Sequence, residues 1–215
     1  MGYMALLRNC RNFPDNDVSN KHILKVAKRI SDEKEVLKSK QLPFRFWSAY
    51  KAITPLNFKG HRTGPTIKYN ASKMNMLTSA FEVAIKTSVK NLQLFTETDD
   101  VLIASDVSGS MWQPISDKSE VHSFDIGLVL SGILQSKCNF VETGIFGDTY
   151  KTINMNKDHV LESVSEMYKR EGEVGYSTNG FLVLRHALKM QNVDRICIFT
   201  DCQIWNSLGT KHTIS

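Results

Sequence analysis

The apolar residues of the first part of the chain recur every three or four positions, which is the spacing of amphipathic helices. Helices are predicted over residues 4–11, from a cap at Ser19–Asn20, over 31–37, after Pro43 and over 72–92. The core-facing positions of the capped helix are expected to be Ile23, Leu24, Ala27 and Ile30. Two prolines and two glycines interrupt the pattern over residues 54–69, which are therefore predicted to be a loop. Short helices with brief polar connectors are typical of helical repeat arrays.

The pattern changes after residue 99. Residues 101–105 form a short, continuous apolar run, which is typical of a strand buried on both faces. Further strands are predicted at 140–146, 149–154 and 195–200, and further helices at 124–135 (with Ser123 as a possible N-cap), 158–170 and 179–190. The strand at 195–200 is expected to be fully buried as well. Strands that alternate with helices predict an α/β doubly wound, mostly parallel sheet.

The composition narrows the class of protein. The chain has 215 residues, of which 41% are hydrophobic and 23% charged, so a disordered or collagen-like protein is excluded. No apolar run approaches the roughly 20 residues that a membrane span needs, and the first residues lack the pattern of a signal peptide. The four cysteines follow no disulfide framework. We therefore expect a cytoplasmic protein without a membrane partner.

The net charge of +5 is distributed unevenly. Residues 1–98 hold 17 Lys and Arg against 7 Asp and Glu, whereas residues 99–215 hold 10 against 15. A change of sign between the halves suggests two units with different partners, of which the basic one is a candidate for nucleic acid. Solvated, lysine-rich helix faces explain the same charge distribution, and the charge alone favours that explanation over nucleic-acid binding.

Basic residues of the first part share helix faces. Arg8 and Arg11 lie three residues apart, and Lys25, Lys28 and Arg29 are spaced by three and four. A third group mixes aromatic and basic side chains and consists of Arg45, Phe46, Trp47, Tyr50 and Lys51. Aromatic residues between basic ones could stack on RNA bases, but helical spacing favours the core for Phe46 and Tyr50.

The sharpest local signal is the sequence Asp106-Val107-Ser108-Gly109-Ser110, which follows the first apolar strand. Alternate residues leaving a strand point the same way, and ligands of doubly wound sheets bind at the carboxyl ends of the strands. Asp201 ends a second strand, and Thr178 lies in a loop that opens a helix. Carboxylates and hydroxyls form an all-oxygen set that suits Mg²⁺. Single motifs of this kind often occur by chance, but the joint occurrence of three favours a metal site over a plain turn.

Catalytic sites fit the sequence less well. No nucleophile elbow and no phosphate-binding P-loop is present, and an aspartyl phosphotransferase would need a carboxylate where Ser108 stands. His122 and His186 lie at a helix start and in a helix body, where histidines are more often structural than catalytic. The spacing of Cys197 and Cys202 does not match a zinc site. We expect a protein that is not an enzyme.

These residues carry a resemblance to a known family. Residues 106–111, Thr178 and 199–201 resemble the metal-ion-dependent adhesion site (MIDAS) of a von Willebrand factor A domain. Residues 4–12 and 43–51 resemble the end of the TROVE module of Ro autoantigen proteins, most closely those of the bacterial or phage type. In that family, HEAT-like helical repeats form a ring that binds small RNAs, and a von Willebrand A domain closes the ring.

The resemblance implies specific sites. Ser108, Ser110 and Thr178 would offer hydroxyl ligands to Mg²⁺ or another divalent cation, and Asp106 and Asp201 would act mainly through bound water. Such a metal stays open to a partner's carboxylate or phosphate. The RNA contacts implied by the resemblance are Arg8, Arg11, Lys25, Lys28, Arg29, Arg45, Lys51, His61 and Arg62. The implied partners are small noncoding RNA, Y-RNA-like or misfolded, and an exoribonuclease or another protein bound through the A domain.

The resemblance also implies a division of the chain. Residues 1–70 would be the end of the helical repeats, 71–98 a connecting helix, and 99–215 an A domain that lacks its last strand and helix. The chain would then be a fragment of a longer protein. The expected function is that of an RNA-binding ribonucleoprotein component of the Ro type. The alternative is a metal-dependent, adhesion-type protein-binding module without a role in RNA binding.

Overall fold

The computed structural model of the protein describes residues 1–10, 12–15, 18–54, 70–91, 98–116, 121–138 and 140–202. The chain divides into two compact units, which comprise residues 1–93 and 94–215. In the described ranges, no helix is both long and apolar enough to cross a membrane.

The first unit is helical. Its helices are α1 (Tyr3–Asn9), α2 (Asn12–Asp15), α3 (Asn20–Ile30), α4 (Glu33–Ser39), α5 (Pro43–Ile53) and α6 (Ala71–Ser88). Helix α6 packs against α3, α4 and α5, and α1 packs against the same three helices. All of them except α2 lie within a few residues of the helices that the apolar spacing predicts.

Side chains at the helix starts explain why the helices begin where they do. The Ser19 hydroxyl accepts a hydrogen bond from the backbone N–H of His22 at 3.3 Å, and the Asp32 carboxylate accepts one from Glu35 at 2.9 Å. Each bond satisfies an N–H group that has no partner within its own helix. Pro43 occupies the first turn of α5, where a proline costs no hydrogen bond.

The core of the first unit confirms one prediction and corrects another. Phe46 and Tyr50 are buried, as their helical spacing predicts. The assignment of Leu24 to the core of α3 is wrong, because its side chain is 45% exposed and Val26 is buried instead. The inward face of α3 follows the strict i, i+3, i+4, i+7 spacing that starts at Ile23, and Leu24 lies about 100° away from it around the helix.

Among the described residues, the second unit is built on a four-stranded sheet. Its elements are β1 (Asp100–Asp106), α7 (Ser123–Lys137), β2 (Phe140–Phe146), β3 (Tyr150–Thr152), α8 (Val160–Arg170), α9 (Phe181–Ala187) and β4 (Arg195–Phe199). The strand order is β3-β2-β1-β4, with β1 parallel to β2 and to β4 and with β3 antiparallel to β2. This is the mostly parallel α/β sheet that the alternating strands and helices predict.

Helices cover β1 on both faces of the sheet. On one face, Val101 and Ile103 pack against Leu134 of α7. On the other face, Leu102 and Ala104 pack in a cluster that includes Val183 of α9. The continuous apolar run of β1 is therefore buried throughout. The carboxyl end of this central strand lies at the edge of the sheet where the parallel strands end, which is called the carboxyl edge below.

Three sequence predictions for this unit need correction. The strand at 195–200 is not fully buried, because β4 is an edge strand among the described residues and leaves Ile196 43% exposed. The helix expected over 179–190 extends only from Phe181 to Ala187. The N-cap of α7 is His122 and not Ser123, because the Asp125 carboxylate accepts the backbone N–H of His122 at 2.7 Å.

Candidate metal centre and nucleic-acid interface

The end of β1 holds three of the predicted metal-site residues together. The carboxylate of Asp106 is buried and accepts the backbone N–H of Ser108 at 2.9 Å, which turns the chain sharply after the strand. The hydroxyl oxygens of Ser108 and Ser110 are 3.2 Å apart. Alternate side chains of this turn therefore converge on one point, as the spacing of the motif predicts.

Backbone hydrogen bonds bring the loop that contains Thr178 to the same edge of the sheet. The N–H of Gly109 donates to the carbonyl of Tyr176 at 3.1 Å, which joins the loop to the turn after β1. The N–H of Asn179 donates to the carbonyl of Gly147 at 3.1 Å, which joins it to the end of β2. Thr178 lies between these two anchors and is buried.

The end of β4 completes the group. The hydroxyl of Thr200 donates a hydrogen bond of 2.7 Å to the second carboxylate oxygen of Asp106. Asp201 follows directly and lies close enough for its negative charge to act on Asp106. The structure thus places all five predicted residues at the carboxyl edge of the sheet.

The electrostatics of Asp106 are unfavourable for a carboxylate. Burial raises the pKa of Asp106, and the charge of Asp201 raises it further. Hydrogen bonds from Ser108 and Thr200 lower this pKa, but no basic side chain is among the causes that lower it. A buried carboxylate beside a second carboxylate is a place where a cation lowers the energy of the fold.

The donor set at this edge fits a hard divalent cation. Its atoms are carboxylate and hydroxyl oxygens, which Mg²⁺ prefers and which zinc and copper do not. No cluster of three or more His, Cys, Asp or Glu side chains is arranged for a metal in the part of the chain that the structure describes. A metal at this edge would therefore depend on the serine and threonine hydroxyls for its ligands.

Gly147 and Gly175 position the loop that contains Thr178, a structural role that the sequence does not predict. A Cβ atom on Gly147 would lie 2.3 Å from the carbonyl oxygen of Gly175, so the two backbones touch. Gly175 has a φ angle of +76°, which favours glycine. The sequence shows no sign of the distant backbone that lies against Gly147.

The basic residues predicted to bind RNA are in part exposed. Arg8, Lys25, Lys28 and Arg45 are exposed, and Lys51 is half-buried. Arg11, His61 and Arg62 lie outside the described residues. The exposed members lie on α1, α3 and α5 of the first unit.

Arg29 has a structural role. Its guanidinium donates to both carboxylate oxygens of Glu35, at 2.8 and 2.9 Å, and to the carbonyl of Met1 at 2.8 Å. This fork-shaped pairing joins the end of α3 to α4 and to the start of the chain. Lys25 and Lys28 are therefore better placed than Arg29 to meet a phosphate.

Comparison with known proteins relates the first part of the chain to a known family. The TROVE domain family matches residues 1–98. These residues are similar to a TROVE domain. Over 89 residues the chain is 32% identical to "Telomerase protein component 1" of Mus musculus, a match that covers 41% of this chain and 3% of that protein. The resemblance to the TROVE module is thereby confirmed.

A solved structure extends the comparison to the fold of both units. The crystal structure of the Deinococcus radiodurans RO (RSR) protein matches with a TM-score of 0.63 and 18% identity over 97% of this chain. The match covers 41% of that protein, so the chain spans less than half of its length. It confirms the predicted order of fold classes, in which a helical unit precedes an α/β unit.

Proposed function

We propose that the protein is an RNA-binding component of a ribonucleoprotein and that its TROVE domain makes the RNA contacts. The observation that supports this most strongly is a stripe of lysines on α3. Lys21, Lys25 and Lys28 are spaced by four and three residues, so they share one face, and all three are exposed. Helix α3 contains no acidic residue that could neutralise them.

The mutual repulsion of these three lysines destabilises helix α3 when no partner is bound. Like charges spaced by three or four residues destabilise a helix by a few tenths of a kcal/mol per pair, on the order of 0.3 kcal/mol. An anionic partner removes this repulsion and releases counterions from its own phosphates. A TROVE domain with this surface is suited to the phosphate backbone of small noncoding RNA, either structured, as Y RNAs are, or misfolded.

The α/β unit has a second role in this proposal, which is to hold Mg²⁺. Ser108, Ser110 and Thr178 would supply hydroxyl ligands, and Asp106 and Asp201 would hold water molecules around the ion. A bound ion would supply an electrophilic centre with room for a carboxylate or phosphate from a partner. The protein residues would bind the ion and orient the partner's carboxylate or phosphate on it. The proposed function is not enzymatic.

A second candidate function rests on the charge of the two parts. The candidate metal centre lies in residues 99–215, where acidic residues outnumber basic ones by 15 to 10. That region can grip a carboxylate of a partner protein, such as an exoribonuclease, without any RNA. In this alternative the lysines of α3 are only a solvated face, and their removal leaves every binding activity unchanged.

Replacing Lys25 and Lys28 together with alanine tests the RNA proposal. We expect about tenfold weaker binding of a labelled RNA stem-loop near 0.1 M salt, and a log–log salt slope that is smaller by about 2, since two phosphate contacts are lost. Fluorescence anisotropy over a salt series measures both quantities.

The matched control is the pair Lys151→Ala and Lys169→Ala, which removes the same charge from the α/β unit. These two lysines pair with Glu173 and Glu166 in the wild type. We expect the control to bind RNA as the wild type does. Equal losses in the two double variants would mean that only the net charge matters and would contradict a role for the α3 stripe.

A further inference from the structure

Helix α5 has two faces of different chemistry. The buried face consists of Phe46, Trp47, Ala49, Tyr50 and Ile53. The opposite face reaches solvent and carries Phe44, Arg45, Ser48 and Lys51. The aromatic side chains of α5 therefore divide into three that build the core and one, Phe44, that stays partly exposed.

The guanidinium of Arg45 lies over the ring of Phe44 at the start of the helix. The guanidinium carbon of Arg45 lies 5.2 Å from the centre of the Phe44 ring, which is a cation–π contact. Leu42, just before the helix, is an apolar side chain that is 43% exposed. A partly exposed aromatic ring with a planar cation beside it offers a surface on which a nucleobase can stack.

The spacing along α5 extends this surface into a line. Phe44, Ser48 and Lys51 stand at positions i, i+4 and i+7, so they follow one stripe about 10 Å long. A ring, a hydroxyl and a cation thus lie in order along the helix. Helix α5 contains no acidic residue that would repel a phosphate.

We infer that this stripe, together with Arg45 beside Phe44, is a binding track for unpaired nucleotides of RNA. A base stacks against Phe44 and Arg45, and Lys51 neutralises a phosphate farther along the strand. Ser48 donates a hydrogen bond to the sugar–phosphate backbone between them. Paired bases are stacked inside a helix and do not present their faces, so the track favours single strands over duplexes. The inference rests on the proposed function, in which the TROVE domain binds RNA.

The test compares two probes on the whole 215-residue chain. One probe is a fluorescein-labelled twelve-nucleotide oligouridine and the other is a blunt RNA duplex of twelve base pairs. For Phe44→Leu we expect roughly tenfold weaker binding of the oligouridine, because an aliphatic side chain lacks the stacking face. Binding of the duplex is expected to stay within about twofold, and Phe44→Tyr is expected to restore the oligouridine affinity.

Arg45→Gln provides a second, exposed position in case Phe44→Leu disturbs the fold. It is expected to weaken oligouridine binding several-fold more than duplex binding. The Lys25→Ala/Lys28→Ala variant is the control, and it should weaken the binding of both probes together.

The outcomes separate this inference from the proposed function. If the wild type binds either probe but Phe44→Leu and Arg45→Gln weaken both probes equally or weaken neither, the track is overturned and RNA binding stands. If the wild type binds neither probe, the proposed function and the track are both overturned. A selective loss for the oligouridine, with rescue by tyrosine, supports the track.

Discussion

Asp106→Asn is expected to abolish the stabilisation of the α/β unit by Mg²⁺ and, in metal-free buffer, to make that unit more stable than the wild type. The carboxylate is buried beside Asp201, and burial raises its pKa, so its ionised form is a cost to the fold. Asparagine removes that charge but keeps an oxygen that can accept the N–H of Ser108. Thr200 can turn its hydroxyl to accept a hydrogen bond from the new amide.

Calorimetric unfolding with a chelator and with excess Mg²⁺ measures both effects. At an ion concentration of about 100 times Kd, the wild type is expected to gain about 2.7 kcal/mol. Asp106→Asn is expected to gain nothing. The control Asp100→Asn, at the other end of β1, should keep the full gain. An equal Mg²⁺ effect in wild type and Asp106→Asn would exclude Asp106 from the site.

The difference in stability between the wild type and Asp106→Asn is expected to depend on pH. The folded-state pKa of Asp106 lies above its unfolded value, so the cost of its charge is present above the folded pKa and disappears as pH falls through it. Without metal, the stability advantage of Asp106→Asn should therefore shrink on acidification. An advantage that grows at low pH would contradict the unfavourable burial of this carboxylate.

Gly147→Ala is expected to destabilise the α/β unit by roughly 3 kcal/mol, since overpacking against a rigid backbone costs that much. The new Cβ atom would lie 2.3 Å from the carbonyl oxygen of Gly175 and 2.9 Å from that of Val174. Neither atom can move without shifting the loop that carries Thr178. The substitution should therefore weaken Mg²⁺ binding as well as the fold.

Gly109→Ala is the matched control for this prediction. Gly109 lies within the metal-site motif, but a Cβ atom there would have no neighbour within 4 Å. Its effect on the free energy of unfolding is expected to stay within about 0.5 kcal/mol. Denaturant unfolding of both variants decides the matter, and equal stabilities would show that the contact between Gly147 and Gly175 does not constrain the loop.

Much of the fold and most of the candidate site could be predicted because they depend on local patterns. The predicted cap Ser19 acts on an N–H group only three residues away. The alternating Asp106, Ser108 and Ser110 converge because of the geometry of a single strand end. Parallel strands then bring their carboxyl ends together, which places Asp201 at the same edge without further information.

The features that the sequence did not reveal depend on distant partners. Arg29 carries the same charge as its neighbour Lys28, but its guanidinium is hydrogen-bonded to Glu35. Arg29 therefore has a structural role, whereas Lys28 is exposed to solvent. The backbone of Gly175 determines why residue 147 must be glycine, although 27 residues separate them. Phe44 could not be told from Phe46 by residue type, because the direction of the core around α5 is set by the helices that pack against it.

One titration decides whether the first unit binds RNA through its basic surface, as we propose. The wild-type chain is titrated against a labelled RNA stem-loop at salt concentrations from about 50 to about 200 mM. We expect saturable binding whose log association constant falls linearly with the log of the salt concentration. Absence of binding across the series, or an affinity that does not change with salt, would contradict it.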